Sequence, residues 1–192
     1  MRKLMAAAGM LVLLPMAVLA QENSVPQAEL FAGFSYLRME KTDQMGWNGA
    51  FAVNINKNLG IVTDLSGYYN SKSQKGGGIS ANSDRKIHSV LFGPRVSDPR
   101  GKWNPFAQAL FGWARINTRL SSSGGSGTAF SSSAADNAFA AAAGGGLDYN
   151  FSDRSGLRLI QVEYFMFQSN NQKPQGVRLS GGVKFNLGRK AQ

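Results

Sequence analysis

The stretch Val177-Arg178-Leu179-Ser180-Gly181-Gly182-Val183-Lys184-Phe185-Asn186-Leu187 decides the fold. Val177, Leu179, Val183, Phe185 and Leu187 fall on one side of a two-residue period; Arg178, Ser180, Gly182, Lys184 and Asn186 fall on the other. A period of two is that of a β-strand with one apolar and one polar face, because successive side chains leave the backbone in opposite directions.

The same alternation runs backwards through the chain. Ile160, Val162, Tyr164 and Met166 oppose Gln161 and Glu163. Arg158 falls on the apolar side by strict count, so a bulge or a membrane-edge position is expected there. Phe139, Ala141, Ala143, Leu147, Tyr149 and Phe151 alternate with Ala140, Ala142, Gly144, Gly146 and Asp148. Ala107, Ala109, Phe111 and Trp113 alternate with Gln108, Gly112 and Ala114. Val90 and Phe92 oppose Ser89, Gly93 and Arg95, and Ile61, Thr63, Leu65 and Tyr69 oppose Asp64 and Ser66. Trp47, Phe51, Val53 and Ile55 alternate with Asn48, Ala50, Ala52 and Asn54; Leu30, Ala32, Phe34 and Tyr36 oppose Glu29, Gly33 and Ser35. The total is eight strands.

The links alternate too. Those around Lys57-Asn58, Asp98 to Lys102 and Asp153-Arg154 are tight and rich in turn residues. Those at 40–45, 71–86, 118–136 and 169–174 are wider; the Ser/Gly run from Ser121 to Ser133 reads as a flexible loop. Short turns on one rim and long loops on the other is the layout of a transmembrane barrel, with periplasmic turns and extracellular loops. The expected fold class is therefore all-β: an eight-stranded antiparallel up-and-down transmembrane β-barrel.

A membrane barrel turns its bulky apolar side chains outward, because lipid is its apolar neighbour. The less apolar face here carries tiny residues, among them Gly33, Ala50, Ala52, Ala140, Gly144 and Gly182, beside the charged Glu29, Asp64, Arg95, Asp148, Glu163, Arg178 and Lys184. Nothing on a solvent face penalises size, whereas eight strands leave an interior just wide enough for side chains to fill. Four acids against three bases suits an enclosed network, since an unpaired buried charge costs several kcal/mol. Glu163 and Arg178, on adjacent strands, are the pair expected to meet. The network is expected to stabilise the barrel rather than line a conducting path.

Aromatic residues sit where strands meet links: Tyr36, Trp47, Tyr69, Trp103, Phe106, Trp113, Tyr149, Phe151 and Phe185. Trp and Tyr favour the membrane–water boundary, so these are expected to form girdles. The first twenty residues read as a removable secretory leader: Arg2 and Lys3, an apolar run from Met5 to Leu14, and Val18-Leu19-Ala20 before Gln21. The expected division is a leader over 1–20 and one barrel domain over 21–192. With no cysteine in 192 residues, disulfides and thiolate metal sites are excluded.

Near the C-terminus, Ser180, Gly182, Phe185 and Leu187 follow the spacing polar, glycine, aromatic, hydrophobic. This resembles the β-signal by which bacterial assembly machinery recognises outer-membrane barrels, although five further residues follow it here. With the leader, eight strands and unequal links, the whole chain after residue 20 resembles the OmpA-like or OmpX-like outer-membrane β-barrel family. Gly93-Pro94-Arg95 and Gly144-Gly145-Gly146-Leu147-Asp148 add to the likeness. The resemblance implies a monomeric integral outer-membrane protein, porin-like in description, with an envelope or surface-contact role. It implies outer-membrane lipids, lipopolysaccharide and the barrel-assembly machinery as partners, and no cofactor. Three other readings stay open: a narrow channel for ions or small solutes, a lipid-modifying barrel enzyme, and a soluble lipocalin-like carrier.

Against enzyme chemistry, the single histidine, His88, stands next to Ser89, and consecutive strand residues point to opposite faces. No catalytic residue is assigned. One histidine and scattered acids do not make a metal site, and Gly76-Gly77-Gly78 lacks the Lys-Ser/Thr of a phosphate loop. A formal charge of +10 invites a nucleic-acid reading; export and the barrel pattern exclude it. Lys72, Lys75, Arg85, Lys86, Arg115, Arg119 and Lys173 gather instead near the long links, where lipopolysaccharide phosphates would face them.

Overall fold

Each alternating segment becomes a strand, and each strand pairs with its neighbour in sequence. In order they are β1 (Ala28–Met39), β2 (Thr42–Asn54), β3 (Leu59–Gly76), β4 (Ile79–Ser97), β5 (Trp103–Gly124), β6 (Ala129–Asn150), β7 (Ser155–Gln168) and β8 (Gln175–Leu187). All eight pairings are antiparallel, and β1 against β8 closes the barrel. This computed structural model describes residues 26–39, 42–76, 79–99, 101–124, 129–168 and 174–188. The expected leader over 1–20 lies outside the described residues.

At one rim the links are tight, as their composition requires. The Asn56 carboxamide oxygen accepts the backbone N–H groups of Asn58 and Leu59 at 2.9 and 2.8 Å. The Ser152 hydroxyl does the same for Arg154 and Ser155. Gly101, between β4 and β5, takes φ of 100°, a region that residues with a Cβ rarely enter.

At the other rim the structure departs from the sequence reading. Residues 42–45, 71–76, 79–86, 118–124 and 129–136, expected in the wide links, are paired strand. The β4–β5 ladder runs to Ile79↔Gly124 and the β5–β6 ladder to Ser123↔Ala129. The β2–β3 ladder ends at Met45↔Tyr69 and the β6–β7 ladder at Phe139↔Gln168. A four-stranded wall, β3 to β6, therefore rises beyond the closed barrel. Ser and Gly mark loops by propensity, but a ladder already in register continues through backbone hydrogen bonds whatever the side chain.

The polarity is inverted relative to a water-soluble fold. Phe111, Val183 and Phe185 are 44%, 43% and 46% exposed, while Asp64, Asp148 and Arg178 are fully buried in the lumen. The Arg158 anomaly resolves as a bulge. Both ladders of β7 shift register between Arg158 and Gln161, and Leu159 and Ile160 both face outward. The extra residue returns Arg158 to the inner face.

Candidate functional site

The site is the lumen, and its layers follow from which residue each strand turns inward. Nearest the short turns, Glu29, Arg95, Asp148, Arg158 and Lys184 form one charged cluster. Arg95 donates to Glu29 at 3.2 Å and to Asp148 at 3.1 Å. Arg158 Nε reaches Asp148 at 2.8 Å, and the Lys184 ammonium lies 3.3 Å from Asp148 and 3.8 Å from Glu29. The next layer centres on Arg178, which donates to Asp64 at 2.8 Å and to Glu163 at 2.7 Å. Gln108 and Gln161 complete Glu163, and Asn48 completes Asp64. Gln161 also accepts from Arg158, so the two layers are one hydrogen-bonded unit.

All seven charged residues expected inside lie in this unit, and Glu163 faces Arg178 in register. Arg158, which strict alternation placed outside, is the fourth base. Four acids and four bases then balance, which is the condition under which ions tolerate an enclosed, weakly polarisable setting. Aromatic rings fill the space between the guanidinium groups. Arg95 lies 4.0 Å above the Phe106 ring, and Arg158 lies 4.3 Å from both Phe31 and Phe106. Such stacking stabilises a desolvated cation through the ring quadrupole.

Phe106 was expected in a girdle; the structure buries it. It shares parity with Gln108, and its ring lies over Gly146 of β6, where a Cβ would meet Cζ at 2.7 Å. Phe31 covers Gly33 in the same way. Small inner residues thus make room for rings as well as for long polar chains.

Toward the long hairpins the lumen turns apolar. Leu37, Met39, Tyr68, Ile87, Leu91, Leu110, Phe165 and Phe167 are buried together. The sequence reading filled the interior with tiny and charged residues; the signal it passed over was parity, since each of these large apolar residues shares the inward register of a polar one. The lumen is thus filled twice, by ions and then by hydrocarbon.

Of the aromatic residues expected at the boundary, Trp47, Tyr69, Trp103, Trp113 and Phe185 are exposed on the outer face, Tyr36 and Tyr149 are half-buried, and Phe151 is exposed in the β6–β7 turn, at the mouth of the lumen. Trp103 packs on Tyr149 with centroids 4.9 Å apart. Of the assembly-signal residues, Phe185 and Leu187 point outward, while Ser180 is buried against Ser35 at 2.8 Å and Gly182 sits opposite Gly33. His88 is exposed and meets Tyr69 edge-on; Ser89 points inward to Ser66 at 2.6 Å. The two do not form a dyad. Lys86, Arg115 and Arg119 are exposed on the outer face beyond Trp113, whereas Arg85 shares the lumen side with Ile87. The side chains of Lys72, Lys75 and Lys173 lie outside the described residues.

No family model and no curated protein matches this chain. Its fold is that of solved outer-membrane barrels. Ail, the attachment invasion locus protein of Yersinia pestis, superposes with a TM-score of 0.59 at 17% identity, covering 84% of this chain and 99% of that one. Its structure with the heparin analogue sucrose octasulfate gives 0.57 over the same shares at the same identity. Neisserial surface protein A gives 0.54 at 18% identity, covering 83% and 96%. These likenesses define the class: an eight-stranded barrel of the outer-membrane type.

Proposed function

We propose that the protein is an integral barrel of a bacterial outer membrane, exported by the leader over 1–20, whose role is structural or surface-contacting rather than catalytic or conducting. The inverted polarity carries this reading: the outward surfaces of residues such as Phe111 and Phe185 stay uncovered unless lipid covers them. The double filling of the lumen supports a closed barrel over the channel alternative. Tyr36, Trp47, Tyr69, Trp103, Trp113, Tyr149 and Phe185 would then lie at the two membrane boundaries, with the short turns in the periplasm.

Lipopolysaccharide is the partner proposed for Lys86, Arg115 and Arg119. They stand just beyond the ring of Tyr69 and Trp113, at the level of headgroup phosphates, and guanidinium and ammonium groups suit phosphate. The assembly machinery is the proposed reader of Ser180, Gly182, Phe185 and Leu187, and a monomer the proposed state.

Membrane fractionation with heat-modifiable gel migration tests the placement. Detergent-free extraction of a folded protein would return the soluble-carrier reading. In planar bilayers the purified protein is expected to give no steady openings; reproducible unitary steps would establish the channel instead. His88→Ala is expected to leave folding and migration unchanged.

A further inference from the structure

The outer face of the wall carries a cavity of about 360 Å3, beyond the ring of Tyr69 and Trp113. Six of its lining residues stand in two rows set by the ladders. Asp84 of β4, Arg119 of β5 and Ser133 of β6 lie opposite one another; Lys86, Asn117 and Ala135 form the row beneath. Both rows face away from the lumen, since Lys86 and His88 alternate with buried Ile87 and Ser89, and Trp113 and Arg115 flank buried Ala114. Thr118 and Ala134, on the opposite period, complete the lining. The hollow exists because β6 offers only short side chains, Ser133 and Ala135, beside the long Lys86 and Arg119.

The lining mixes donors and acceptors. Lys86 and Arg119 only donate, the Asp84 carboxylate only accepts, and Asn117 and Ser133 do both. The Ser71 hydroxyl donates to one Asp84 oxygen, which orients the carboxylate and leaves its other oxygen for a ligand. An anion would suit the two bases and be repelled by Asp84; a cation would suit Asp84 and be repelled by the bases. A hydroxyl group donates and accepts at once, so a neutral ligand with several of them satisfies every member of the set. Ala135 adds a small apolar floor for the C–H face of a ring.

Resting on the outer-membrane reading above, we propose that this cavity binds one neutral hexopyranose unit. Two of its hydroxyl groups donate to Asp84 and to the Asn117 carboxamide oxygen, while Lys86 and Arg119 donate to its ring and hydroxyl oxygens. The volume lies within the range of ligand sites, about 300–1,000 Å3, at the end that suits one sugar. The bases of the wall are thereby divided. Arg115, one row below Asn117 and distant from Asp84, is left to phosphate; Arg119, opposite Asp84, meets a sugar. The unit belongs either to the lipopolysaccharide beside the barrel or to a glycan reaching the surface from outside.

The test uses the full barrel folded in phosphatidylcholine nanodiscs. Heat-modifiable migration reports on the membrane reading, and the side-chain amide resonances of Asn117 report on the cavity, with those of buried Asn104 as an unmoved reference. Glucose, galactose, mannose, inorganic phosphate and phosphoethanolamine are titrated separately. A saturable Asn117 shift is expected from at least one hexose, with phosphate and phosphoethanolamine at least about tenfold weaker. Asp84→Asn is expected to weaken the hexose by a similar factor and to strengthen phosphate. Ala135→Leu, which fills the floor without altering charge, is expected to abolish the hexose shift while keeping the folded band. Nanodiscs that also contain lipopolysaccharide separate the two sources: loss of the hexose shift there assigns the cavity to the neighbouring glycolipid, and its persistence to an outside glycan. No saturable shift from any hexose overturns the proposal. Equal binding of phosphate or phosphoethanolamine overturns it too, as does an unchanged hexose affinity in Asp84→Asn or Ala135→Leu.

Discussion

Arg178 on β8 and Asp64 on β3 meet at 2.8 Å across the lumen, although 114 residues separate them in sequence. The same guanidinium holds Glu163 of β7. One side chain therefore ties three strands, two of which, β3 and β7, share no ladder.

Replacing Arg178 by Met removes the base and leaves two buried carboxylates facing each other. A loss of about 3–5 kcal/mol is expected, as for breaking a buried pair from one side. Urea unfolding of the protein in micelles measures it. The triple variant with Asp64→Asn and Glu163→Gln is expected to recover part of the loss, because the stranded charge is then gone.

The bulge in β7 makes a directional prediction. Leu159 is the residue without a partner on β6, so deleting it leaves Arg158 inside, Ile160 outside and Gln161 inside in plain alternation. The deletion is expected to keep heat-modifiable migration. Deleting Val162 reverses parity along β7 and turns either Arg158 and Gln161, or Glu163, Phe165 and Phe167, to the wrong face. No folded band is expected for that variant.

Depth on the outer face separates lipid from water. Ala109 faces outward between Trp103 and Trp113, so Ala109→Arg is expected to cost about 2–4 kcal/mol, as for a cation near the bilayer midplane. Asn117 lies beyond Trp113 on the same strand and the same face; Asn117→Arg is expected to cost about 0–1 kcal/mol. Equal costs in urea unfolding from liposomes would contradict the assigned membrane band.

The wall above the closed barrel should be dispensable for folding. Replacing residues 120–132 by Asn-Gly keeps the pairing Arg119↔Ser133, removes the paired extension beyond it and leaves Ile79 to Ser83 of β4 without their β5 partners. Heat-modifiable migration and the urea midpoint are expected to stay close to those of the parent protein. A collapse of either would show that the wall helps to set the register of the barrel below.

Eight strands, their order and the face each turns outward were legible because alternation is local: Lys184 and Phe185 oppose each other by backbone geometry alone. The charged lumen was legible for the same reason. Three features were less so. The parity of Arg158 announced a bulge or a membrane-edge position, and only the register shift against two neighbouring strands decided for the bulge. Phe106 looked like a boundary residue because of its place near a turn, when its parity with Gln108 was the better guide. The Ser/Gly segments 121–124 and 129–133 looked like loop because composition does not report a ladder inherited from residues further down.

The amino-acid order determined periodicity, and periodicity determined which side chains share a face, since both depend on nothing beyond adjacent peptide units. Closure of the barrel decided the rest. It chose which base meets which acid, stacked Arg95 and Arg158 on Phe106, and placed hydrocarbon above the ions. Those outcomes depend on strand stagger around a ring, a property of all eight segments together and of no one of them.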